Sequence, residues 1–178
     1  SQLGYKNIIK LSSESYLGSD QKSDPHCDFT RLTRQNEDLI LLSGNHLGLF
    51  GKLYKLNKLK LIEKSLENLK NIFGSRFYLE IQRHNDPQEK SYENYLIQIS
   101  NKIQIPLIAT QEVFYLGAEM YEAHNALTCI GSKSFVDDLK RIRFSDQHFI
   151  KTNQDLTNLF SDIPEALENN YNFTQRFS

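Results

Sequence analysis

Residues 106–115 read PLIATQEVFY, a short apolar run that stops at the polar pair Gln111-Glu112. Leu107 and Ile108 have the pattern of a strand buried on both faces, and polar residues at its carboxyl end stand where parallel α/β folds place their chemistry. Thr110, Gln111, Glu112 and Phe114 are therefore the first candidates for a site.

Upstream of this stretch, Asp86-Pro-Gln-Glu89 has the form of a helix start. Asp86 caps, Pro87 suits the first helical position and Glu89 can close a capping box. Tyr92, Leu96, Ile99 and Ile103 then form a buried helical face. Phe77 to Ile81 is a second strand, preceded by an amphipathic helix on Leu59, Ile62, Leu66, Leu69 and Phe73 with Gly74 as its stop. Asp38 to Gly44 is a brief apolar run that suits a third strand, and Gly44, Gly48 and Gly51 are expected to punctuate a loop after it. Tyr5, Ile8, Ile9, Ser12 and Tyr16 recur at helical spacing, GSDQKSDPHCD marks a loop, and Asp28 to Gln35 is expected as one short helix.

Downstream, a helix is expected from about Glu119 to Cys129 with Gly131 as its stop. Leu156, Leu159 and Phe160 follow on another helix, and Asp162-Ile-Pro-Glu165 reads as a further cap. Strands separated by helices of this length imply parallel pairing through crossovers, hence about three βα units and a helical tail. Three strands are few for a sheet covered on both faces, so further strands are expected before Ser1.

With 178 residues the chain can form one domain, burying roughly 70% of its unfolded surface. The balance of 21 Lys plus Arg against 22 Asp plus Glu gives no global field to draw in nucleic acid or a membrane. Cys27 and Cys129 lie in neither CxxC nor CxxH spacing, so no disulfide framework or zinc module is signalled. No apolar run reaches the roughly 18 residues of a membrane span, and a cytoplasmic setting is the expectation.

The histidines and carboxylates each have a plain reading. His26 and Cys27 are adjacent loop residues, and His46 in SGNHLG reads first as a solvated loop histidine that could reach a site at the strand ends. Glu80 and His84 share one strand face by parity and could form an acid-base or metal pair, although a polar barrel lining has the same pattern. His124 falls on the apolar side of EAHNALTCI as a core or interface histidine, and Cys129 is a small buried hydrophobe. Glu112 is the best single carboxylate, yet two positions on stands Phe114, which can neither ligate a metal nor move a proton. The glycines of SGNHLGLFG form no GxGxxG or Walker loop, and no GxSxG signature is present.

Taken in order, LILLSGNHLGLFG, FYLEIQRH, PLIATQEVFY, EAHNALTCIG and LFSDIPEALENN resemble the PHP (polymerase and histidinol phosphatase) domain at the amino-terminal region of bacterial DNA polymerase III alpha subunits. The similarity runs from about Gly4 to the carboxyl terminus. It implies an α/β fold, a distorted (β/α)7 barrel of which residues 1–178 would be the C-terminal part, with metal ions held at the strand ends in active members. By this resemblance the first metal-binding histidines lie upstream of Ser1, Asn45 stands where a Cys or His ligand is expected, and Glu112 and Phe114 match an Asp-x-His pair. Asn45, Glu112 and Phe114 thus read as vestigial metal positions, with no catalytic residue and no cofactor in the fragment. The implied function is that of part of a replicative DNA-directed DNA polymerase, a nucleotidyltransferase using magnesium elsewhere in the protein. This part would be a scaffold for the rest of the subunit and for a proofreading exonuclease, with DNA met through the parent protein and no membrane partner. The alternative is an active metal-dependent phosphoesterase or proofreading nuclease using Glu80, His84 and Glu112.

Overall fold

The computed structural model describes residues 1–18, 24–141 and 143–177. Its centre is a three-stranded parallel sheet in the order β1-β2-β3, formed by β1 (Leu41–Leu42), β2 (Phe77–Ile81) and β3 (Leu107–Ala109). Leu41 pairs with Phe77, and Leu79 with Leu107. The three residues of β3 are all buried, as expected of a strand covered on both faces. The first and third strands are shorter than their apolar runs, and Thr110 lies just past β3, where its amide still donates to the Ile81 carbonyl at 3.0 Å.

Among the described residues, eight α-helices surround the sheet: α1 (Gln2–Leu17), α2 (Phe29–Arg34), α3 (Leu49–Lys55), α4 (Leu59–Phe73), α5 (Pro87–Ile103), α6 (Tyr121–Ser132), α7 (Asn153–Leu159) and α8 (Pro164–Thr174). The α4 stripe of Ile62, Leu66, Leu69 and Phe73 is buried, and Gly74 ends the helix at φ 55°. Asp86 begins α5 through a complete capping box with Glu89 and Pro87 in the first turn, and Tyr92, Leu96, Ile99 and Ile103 fill its buried face. These residues join Phe77, Leu79, Ile81, Leu107, Phe160 and Ile163 in one core.

Several local expectations are corrected. Gly48 caps α3 and Gly51 lies inside it, so close to the β1 loop that a Cβ there would collide with the His46 carbonyl oxygen. Gly131 does not stop α6, which runs on to Ser132 and ends at Lys133 with φ 53°. Ile163, not Asp162, takes the N-cap position of α8, and Asp162 turns instead to Arg83. The first helix forms, but Tyr5, Ile8 and Tyr16 are exposed, and only Gly4 in it is buried. Of the GSDQKSDPHCD loop, residues 19–23 lie outside the described residues.

The tail closes the sheet on one side. Side-chain amides of Asn169 and Asn170 donate to the Leu107 and Ala109 carbonyls at 2.8 and 2.6 Å. These are the β3 carbonyls that point away from β2, so α8 satisfies an edge that a strand would otherwise need to cover. Arg83, at the end of β2, ties the tail to α5 by bonding Glu93 on one side and Asp162 on the other.

Candidate functional site

The three strands end together, and their carboxyl ends open into a cleft of about 420 Å³. Asn45, His46 and Leu47 follow β1, Gln82, His84 and Asp86 follow β2, and Glu112 follows β3. The far wall comes from Arg143, Phe144, Ser145 and His148, at the end of a long excursion between β3 and α7.

At the floor, a chain of polar contacts runs across the strand ends. Asn45 donates to Gln82 at 2.9 Å, and Gln82 donates to Thr110 at 2.9 Å and to Glu80 at 3.3 Å. The Thr110 hydroxyl also donates to Glu80. Gln111 works as a clamp: its amide donates to the Phe149 carbonyl at 2.8 Å and its oxygen accepts from the Lys151 amide at 3.4 Å. The ends of the excursion are further held by the parallel bridge between Tyr115 and Phe149.

His84 lies beyond the end of β2, so strand parity does not set its direction. It is buried, and both ring nitrogens are engaged. Nε2 accepts from the Glu112 amide at 3.2 Å, which places the proton on Nδ1, and Nδ1 donates to Glu89 at 2.9 Å. Glu89 also receives the His84 amide at 2.6 Å, so the acid that completes the α5 capping box fixes this ring as well.

His148 lies face to face with His84, ring centroids 4.1 Å apart and 2° from parallel. Phe114 stacks on the other side of His148 at 4.9 Å, and His124 stacks on Phe114 at 5.1 Å. His148 donates from Nδ1 to the Glu112 carbonyl at 3.1 Å. Burial, and then the neighbouring His84, hold its pKa down at about 4. The column His84-His148-Phe114-His124 is thus packed as aromatic rings are packed, with its first member hydrogen-bonded at both nitrogens.

His46 corrects the solvated-loop reading. It is 6% exposed, because α3 presses Gly51 against its backbone. Its Nε2 stands 3.3 Å from Asp86 Oδ2 without hydrogen-bond geometry, and neither ring nitrogen has a hydrogen-bond partner among the described residues. His26, by contrast, is a loop residue bonded to the Asp24 carbonyl, Cys27 is exposed and Cys129 is buried.

The structure therefore brings Asn45, Glu112 and His84 to one cleft and puts Glu80 and Phe114 beside it. Sequence reading missed His148, Arg143 and the second role of Glu89. Only the spacing of RHNDPQE, which sets His84 two residues before the cap and Glu89 three after it, carried a signal for that role.

The residues expected as metal positions are engaged with other partners or carry no ligand atom. Asn45 donates to Gln82, Glu80 receives Thr110 and Gln82, His84 has no free nitrogen, and Phe114 offers no ligand atom. Among the described residues, no three His, Cys, Asp or Glu side chains are grouped to hold one ion.

Comparison with known proteins shows what the chain is similar to. The PHP domain matches residues 1–84, from the first helix to His84. The chain is 38% identical over 175 residues to the DNA polymerase III subunit alpha of Rickettsia bellii (strain RML369-C), covering 98% of this chain and 15% of that protein. The subunit from Caulobacter vibrioides is 34% identical over 173 residues, covering 97% and 15%, and that of Vibrio cholerae 30% over 175 residues, covering 98% and 15%. This chain spans about 15% of the length of the curated relatives it matches. Residues 1–84 thus match the PHP domain, and the chain over nearly its whole length is similar to DNA polymerase III alpha subunits.

Proposed function

We propose that residues 1–178 are part of the PHP domain of a bacterial replicative DNA polymerase alpha subunit, and that this domain serves there as a scaffold and not as a phosphoesterase. The three-stranded sheet would then be one arc of a (β/α)7 barrel. The parent protein would be a cytoplasmic DNA-directed DNA polymerase, with its magnesium-dependent nucleotidyl transfer and its DNA contacts in other parts of the chain. A separate proofreading exonuclease is the partner such a scaffold would carry.

One observation carries the scaffold reading: both nitrogens of His84 are committed to protein atoms, and Phe114, matched by resemblance to the histidine of an Asp-x-His pair, offers no ligand atom. A divalent ion needs several donors placed together, and each one missing costs heavily in affinity. A docking domain needs only its surface.

The test is metal content. Protein dialysed against manganese or zinc and then against buffer should retain no stoichiometric ion, and should not hydrolyse phosphomonoesters. One or more ions held per chain would restore the phosphoesterase reading. Membership of a polymerase is tested separately, by sequencing the gene through and past these codons and finding one frame of polymerase length.

A further inference from the structure

A second, much smaller cavity lies between the β1 loop, the end of β2 and α5, with a volume of about 10 Å³. It shares Asn45, His46, Gln82 and Glu89 with the cleft, and its other side is formed by Tyr92, Glu93 and Leu96 of α5. Such a volume suits one water molecule and no larger guest. Two side chains in its wall, His46 and Tyr92, are only 6% and 4% exposed. Neither the His46 ring nitrogens nor the Tyr92 hydroxyl has a hydrogen-bond partner among the described residues, and bulk solvent does not reach these atoms. A buried polar atom left unpaired costs more than a hydrogen bond ordinarily contributes, so two such side chains around one cavity point to a guest.

We propose that this cavity binds one ordered water molecule, which accepts a hydrogen bond from the Tyr92 hydroxyl and donates to the Glu80 carboxylate and to one ring nitrogen of His46. Burial first, and then Tyr95 and Glu80, push the ionisation of Tyr92 well up, so the phenol keeps its proton and can donate it. Glu80 lines the cavity and accepts from Thr110 and Gln82, which leaves lone pairs for a further donor. A neutral imidazole offers one bare nitrogen as an acceptor. Three hydrogen bonds are the usual number for a buried water.

A monovalent cation is the poorer guest. Glu89 is committed to His84, and Glu93 to Arg83 and Lys90, while the Tyr92 hydroxyl brings a proton that needs an acceptor. The water joins the β1 loop to β2 and α5, and it thereby positions the His46 ring in the wall of the cleft.

The experiment has two arms. A high-resolution crystal structure of the protein should show one solvent peak within about 3.2 Å of the Tyr92 hydroxyl, of Glu80 and of His46. In urea unfolding, Tyr92→Phe should lower the midpoint, because it deletes the donor to the water and keeps the shape of the ring. Tyr95→Phe is the control: its hydroxyl is likewise buried without a partner among the described residues but does not line the cavity, so the midpoint should hold or rise. A Tyr92→Phe midpoint that holds or rises would overturn the proposal. So would a cavity without a solvent peak, or a peak that gains an anomalous signal in rubidium chloride, which would assign the site to a cation.

Discussion

The β1-to-β3 region, residues 41–110, and the excursion that follows it, residues 116–150, treat apolar side chains in opposite ways. In the first, Ile62, Leu66, Leu79, Ile81 and Leu96 turn inward and leave almost nothing to solvent. In the second, the inward positions hold histidine, asparagine and aromatic rings, while leucine, isoleucine and phenylalanine face out. The first region is held by area removed from water. The second is held by hydrogen bonds and stacked rings, and it forms one wall of the cleft.

The largest effects should therefore fall in the β1-to-β3 region. Leu66→Ala removes a fully buried side chain at the sheet side of α4 and should cost about 3 kcal/mol in urea unfolding. Gly51→Ala should cost about 2–3 kcal/mol, because its methyl group would sit on the His46 carbonyl oxygen. Ile130→Ala, in the excursion, should change stability by less than about 0.5 kcal/mol in the same assay. Equal losses for Leu66→Ala and Ile130→Ala would end the contrast.

How much of this was legible depends on what each residue depends on. The α4 and α5 stripes and the Asp86 cap were readable because period and capping are local properties of the chain. So were the three strands and their parallel order, since strand and helix lengths restrict the connections. Two glycines lie elsewhere than expected, Gly51 in a helix and not a loop, and Gly131 within a helix and not at its stop. Gly51 is required by an approach between α3 and the β1 loop that no local pattern announces, and Gly131 merely sits in a helix that runs past it. Glu112 and Phe114 were legible at the end of their apolar run, and Asn45 only through resemblance. His148, 64 residues beyond His84 in sequence, became visible as its stacking partner only when the excursion folded back.

The join between the sheet and the tail should come next in size. Arg83 bonds Glu93, which is 3% exposed, and also Asp162, which is largely in solvent. Arg83→Met leaves the Glu93 carboxylate buried with only Lys90, at 3.2 Å, to balance it. A loss of about 2–3 kcal/mol is expected. Adding Glu93→Gln should return most of it, since the penalty is chiefly the uncompensated charge. A double variant as unstable as the single one would instead assign the loss to Arg83 packing on Phe160 at 4.8 Å.

A smaller effect is expected from acid, and it belongs to the excursion. His148 has a folded pKa of about 4, below the ordinary 6.5, so the unfolded chain binds its proton more readily. Its contribution is complete above about pH 6.5 and is lost as pH falls toward 4. His84 and Lys151 oppose the proton, while Glu89 and the Glu112 carbonyl favour it. The Glu112 carboxylate stands 4.0 Å away. The His148 ring signal in NMR should titrate near pH 4, and His148→Phe should flatten the stability profile between pH 6.5 and 4. A midpoint near 6.5 would show that the stack is open to water.

The smallest change tests the excursion from the opposite direction. Gly131 lies in the last turn of α6, and a Cβ there would meet nothing within 4 Å, in contrast to Gly51. Alanine loses less backbone freedom than glycine on entering a helix, so Gly131→Ala should stabilise the protein by about 0.5–1 kcal/mol at most. Urea midpoints should rise with an unchanged slope. A fall in the midpoint would mean that the last turn of α6 has no room for the added methyl group, and that Gly131, like Gly51, is required by a close approach.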